Sequence, residues 1–106
     1  MAKYLVEATY TTEGARGLLK EGGSKRREAV EAIVKAVGGT LESFYFGFGS
    51  SDVYALVDGV DASSAAAVCL TVSSSGAVHT KTTVLLTPEE IDKACQTTIA
   101  FRAPGA

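Results

Sequence analysis

The chain has 106 residues, 46% of them hydrophobic and 21% charged, with a formal net charge of −2. That length allows one domain, burying roughly two-thirds of its unfolded surface without a disulfide or metal staple, and the charge gives no reason to expect nucleic acid or an anionic membrane as a partner. No apolar run nears the roughly 20 residues that span a bilayer, and the start, MAKYLVEATY, lacks the apolar core and cleavage site of a signal peptide, so a cytoplasmic location is expected.

Lys3 to Tyr10 alternates as a first strand, with Tyr4, Val6, Ala8 and Tyr10 on one face and Leu5, Glu7 and Thr9 on the other. Thr11 or Thr12 is placed to cap a helix whose stripe is Ala15, Leu18, Leu19 and Gly22. Gly22-Gly23 interrupts that helix, because glycine costs about 1 kcal/mol per residue in a helix interior. Ser24 is then a restart cap, and Val30, Ile33, Val34 and Val37 fall at i, i+3, i+4 and i+7, an amphipathic helix ended by Gly38-Gly39.

Thr40 to Asp58 reads as two strands joined by a tight Gly-Ser-Ser turn. The first places Phe44, Phe46 and Phe48 on one face and Leu41 and Tyr45 on the other. The second places Val53, Ala55 and Val57 opposite Tyr54 and Leu56. A sheet with one wet face alternates apolar with polar; these strands are apolar on both sides, so each face needs a cover. Asp61 caps a helix from Ala62 to about Ser74 that is rich in small residues, Gly76 closes it, and Val78 to Leu86 is a fourth strand. Thr87-Pro88-Glu89-Glu90 is a capping box with proline at the first helical position, opening a short helix to Cys95 or Gln96. Residues 1–96 thus form a single domain. The tail, Thr97 to Ala106, is expected to be mobile, with Ile99 and Phe101 available to dock on a neighbour.

The order β-α-β-β-α-β plus a terminal helix is α+β. Right-handed crossovers put both main helices on one side of a four-stranded antiparallel sheet, the ferredoxin-like arrangement. About a hundred residues supply helices for one face only. A second copy of the chain is the expected cover for the other, sheet against sheet.

The opening Tyr4 to Thr11, the helix from Arg26 to Gly38-Gly39, the Gly49-Ser50-Ser51-Asp52 turn, Asp61 before a small-residue helix, Gly76 and the Thr/Glu start of the last helix together resemble the GYD-domain family, over nearly the whole chain. The resemblance implies a ferredoxin-like domain that pairs into a dimeric α+β barrel, and no common activity. Of the naming motif Gly-x-Tyr-Asp, Gly49 and Asp52 match, and Ser51 stands in place of the tyrosine.

Several residues carry chemical potential. Glu7 lies in an otherwise apolar strand; it either pairs with Lys81 or a partner's cation, or sits between sheets in the environment a general base needs. His79 and Lys81 alternate onto one face of the fourth strand, so Glu7, His79 and Lys81 meet if the register holds. Asp52 either accepts backbone N–H groups from its own turn or stands at the mouth of an inter-sheet cavity. Tyr10, Tyr45 and Tyr54 are core or interface aromatics, one of them with its hydroxyl turned into a cavity. Lys25, Arg26 and Arg27 crowd a helix start, where the dipole disfavours cations, as a solvated cluster, an ion-pair patch or an anion site. The Gly-Gly-Ser before them is not a P-loop. Cys69 and Cys95 read as reduced thiols buried as small hydrophobes; with one histidine in the chain they make no zinc spacing, and no cofactor is assigned.

Three functions follow in rank. The first is a homodimer or higher homo-oligomer that binds a small molecule or regulates a partner, with Tyr10, Tyr54, Lys81, Asp52 and Arg26 as candidate ligand contacts. The second is a cofactor-independent monooxygenase or isomerase, with Glu7 or His79 as base on a substrate held between sheet and helices. The third is a haem- or metal-binding barrel with His79 as axial ligand.

Overall fold

In the computed structural model, which describes residues 2–106, the elements are β1 (Ala2–Tyr10), α1 (Thr12–Glu21), α2 (Gly23–Ala36), β2 (Thr40–Phe46), β3 (Val53–Val60), α3 (Ala62–Ser74), β4 (Val78–Leu85) and α4 (Pro88–Gln96). The strands make one antiparallel sheet in the order β2-β3-β1-β4. The fold is ferredoxin-like, as the element order predicts.

Register decides which residues share a face. Tyr4 pairs with Val57, Val6 with Ala55 and Ala8 with Val53, and this set turns toward α2 and α3. Tyr4, Val34, Leu41, Ala55, Val57 and Val60 form the buried core there, with Val34 reaching in from α2. The α2 stripe of Val30, Ile33, Val34 and Val37 is half-buried or buried throughout, as its spacing predicts. On α3, Cys69 Sγ lies 3.2 Å from Thr82 Oγ1, which ties that helix to β4.

Five local expectations are corrected. Leu41 faces the helices rather than sharing a face with Tyr45, because a bulge between Leu41 and Ser43 shifts the register by one residue. Phe48 lies outside the strand and is fully exposed: β2 stops at Phe46, and residues 47–52 form a longer loop closed by Gly47 N–H donating to the Asp52 carbonyl at 2.9 Å. Ser24 does not cap α2. Gly22, at φ 85°, both ends α1 and begins α2 with no side-chain cap, a conformation that suits glycine. The α1 stripe does not face the core. Gly14 is the buried contact, since a Cβ there would lie 2.0 Å from the Ala77 carbonyl oxygen, and this close approach rolls Ala15 and Leu19 into solvent. Cys95 is exposed and Cys69 half-buried, so only the latter packs as a small hydrophobe.

The last element leaves the body. Thr87 and Glu90 close the capping box, each side chain accepting the other's backbone N–H at 3.1 and 3.0 Å. No residue of α4 is buried, and Leu86, Ile91, Ile99 and Phe101 are exposed. The chain measures 57 × 33 × 23 Å with a radius of gyration of 17.0 Å, where a compact chain of this length has about 13 Å.

Candidate functional site

The sheet face away from the helices carries Glu7, Tyr54, Lys81 and His79 of the residues singled out in the sequence. Across all four strands the register sets Tyr45, Tyr54, Glu7 and Lys81 in one row. The next row is Ser43, Leu56, Leu5 and Thr83, and His79 stands beside Thr9. Leu5, Leu56, Tyr54 and Tyr45 make an apolar patch, Tyr45 being 69% exposed. Lys81, Thr83 and His79 border it on β4, and Lys3 ion-paired to Glu42 borders it at the other end.

Glu7 is the centre of the polar cluster. Its side chain is only 14% exposed; Ser51 Oγ donates to Oε1 at 3.0 Å, and the Lys81 ammonium stands 4.0 Å from Oε2. Ser51 itself is buried. The position where the motif has tyrosine thus supplies the hydrogen bond that holds the carboxylate, and no alternation argument locates it, because the contact comes from a loop. Glu7 and Lys81 meet as the register predicts, while His79 on the same face is exposed and its side chain makes no hydrogen bond among the described residues.

Asp52 has a structural task. It accepts the Tyr10 N–H on Oδ2 at 2.9 Å, and its own N–H donates to the Ala8 carbonyl at 2.9 Å. These bonds come from β1 rather than from its own turn, and they seat the loop that carries Ser51 over the end of that strand.

Tyr10 and Arg26 lie on the other side of the sheet. They stand at a cavity of about 80 Å³ between the sheet, α2 and α3, lined almost wholly by apolar side chains such as Val6, Val30, Ala55 and Val72. A void of that size costs about 2 kcal/mol if it stays empty, and α3 contributes Val68, Cys69 and Val72 to its wall. Burial pushes the Tyr10 phenol above the ordinary tyrosine range, opposed in part by the nearby Arg26 guanidinium. Six of the predicted residues therefore divide into two places: Glu7, Tyr54, Lys81 and His79 on the open face, Tyr10 and Arg26 on the helix side, with Asp52 at the strand end between them. The sheet separates Glu7 and His79 from the helix-side cavity, so a base at either position works only on the open face. No three His, Cys, Asp or Glu side chains converge as metal ligands among the described residues. None of the described helices is long and apolar enough to cross a membrane.

An α+β sheet of this order, helices on one face and a bordered apolar patch on the other, defines the class of small ferredoxin-like domains. Within it, residues 4–95 match the model of the GYD domain, and the chain belongs to that family. Among curated proteins and solved structures, none matches the chain.

Proposed function

We propose that this protein is a self-associating small-molecule-binding module in which two copies close sheet against sheet, giving the dimeric α+β barrel. The observation that carries the reading is the open face itself: Leu5, Leu56, Tyr54 and Tyr45 form an apolar patch with a polar border, the anatomy of an interface rather than of a wetted sheet. Closing two such faces brings two Glu7–Ser51–Lys81 clusters into one enclosed space, with Tyr54 beside each. Carboxylate and ammonium groups there suit a small polar ligand that offers both hydrogen-bond donors and acceptors. The protruding α4 and tail supply further apolar contacts to the neighbouring copy. Two free thiols, Cys69 and Cys95, fit the reducing cytoplasm.

An enzymatic reading has one observation in its favour, the shielding of Glu7 under Ser51, which positions a carboxylate for proton transfer in that inter-sheet space. Native mass spectrometry of the protein purified from its own host tests both. A dimer carrying a bound metabolite supports the binding module. A monomer at every concentration removes it and the inter-sheet active site together. Loss of turnover of the identified metabolite in Glu7→Gln, with the dimer intact, selects the enzyme.

A further inference from the structure

The helix-side cavity lies on the opposite face of the sheet from the proposed interface, and its chemistry is different. Its walls are mostly apolar, contributed by all four strands, α2 and α3, and among the described residues Arg26 is the one charged residue that lines it. The guanidinium is half-buried and has no carboxylate within salt-bridge distance among the described residues. The neighbouring Arg27 is paired with Glu31 at 3.5 Å and Lys25 is exposed, so Arg26 is the half-buried cation of the cluster and the one that lines the cavity.

Arg26 and Tyr10 line both this cavity and an outer groove between α1, α2 and the end of α3, so they form the wall between the two. Glu13 and Glu21 stand in the outer groove. The Asp52 carboxylate is engaged by the Tyr10 N–H. The acidic groups near Arg26 are thus outside the cavity or committed, and the inner side of the guanidinium meets an apolar space.

From this arrangement we infer that the cavity is a binding site for a short-chain monocarboxylate, its carboxylate on Arg26 and the Tyr10 hydroxyl, its alkyl tail among Val30, Val68 and Val72. The size sets the tail. A space of about 80 Å³ suits a tail of a few carbons rather than a long acyl chain. Guanidinium and carboxylate match as a two-pronged hydrogen-bonded pair, and a phenol adds a third donor. A neutral ligand of the same shape leaves the half-buried cation unmatched. The site goes beyond the inter-sheet reading and does not depend on it, since none of its lining residues belongs to the open face.

The test is a titration of the full chain, isotopically labelled for NMR, with sodium butyrate up to about 20 mM, enough to approach saturation for a ligand of millimolar affinity. Butyramide serves as the neutral isostere and octanoate as the oversized acid. Butyrate is expected to shift the methyl signals of Val30, Val68 and Val72 saturably, with butyramide at least about tenfold weaker and octanoate leaving those signals unmoved. Arg26→Gln, at a half-exposed position, is expected to weaken butyrate about tenfold or more and to leave butyramide unchanged. Val68→Leu fills the space and abolishes butyrate shifts while the fold, read from the remaining dispersed signals, is kept. Absence of saturable shifts at the valines, shifts confined to Lys25 and Arg27, or equal binding by Arg26→Gln would each overturn the site. The oligomeric state, measured on the same sample by diffusion, reports separately on the sheet interface.

Discussion

Ser51 shows how one side chain sets the chemistry of a face. Its hydroxyl is the hydrogen-bond donor to a carboxylate that otherwise has only a long contact to Lys81. Removing it in Ser51→Ala leaves a mostly buried charge under-satisfied, and urea unfolding is expected to show a loss of about 1–2 kcal/mol. The loss should largely disappear in the Glu7→Gln background. Gly14 is a steric case: a methyl group has no room against the Ala77 carbonyl, so Gly14→Ala is expected to cost about 1–3 kcal/mol in the same assay. Tyr10 gives a pH dependence. Burial raises its pKa in the folded chain, so the folded state prefers the neutral phenol. Its contribution is fully present below the ordinary tyrosine pKa and is lost as pH rises through the raised value. Thermal melts of wild type and Tyr10→Phe should therefore diverge only on the alkaline side, the wild type falling faster.

At the scale of elements, periodicity located what local forces dominate. The α2 stripe, the Asp61 cap of α3, the Thr87 capping box and the alternation of β1 and β3 all stand where their residues indicate, because each is decided within a few positions of sequence. The failures share a cause: they depend on contacts made far along the chain. The bulge that turns Leu41 inward answers to its pairing with Val57. The roll of α1 answers to Ala77, more than 60 residues on, and the task of Asp52 answers to Tyr10. The meeting of Glu7 and Lys81 was legible because two long strands keep register without interruption; the Ser51 contact and the Arg26 cavity were not, since a loop and a gap between helices leave no periodic trace. Element α4 carries its own prediction. Its residues are unburied and its cap is self-contained, so deleting residues 87–106 should leave the far-UV spectrum and melting of the remaining body nearly unchanged, while weakening self-association as measured by dilution.

For the whole molecule, a radius of gyration of 17.0 Å in a chain of this length reflects an elongated shape, and the proposed pairing accounts for it. An elongated chain with one helix standing off the body and an uncovered apolar patch is stable in water when those surfaces meet a partner. A specific interface of standard size buries about 800 Å² from each copy, close to a tenth of the 7362 Å² that this chain exposes. The open sheet face and the α4 arm are the surfaces available for it.

Sedimentation velocity of the purified chain, alone and as Leu56→Lys, tests that claim most directly. A wild-type mass of about 21.8 kDa, twice the 10.9 kDa of one chain, that drops to 10.9 kDa in the folded variant is the predicted result. A wild type sedimenting at 10.9 kDa across the concentration range, with the same melting temperature as the variant, would contradict it.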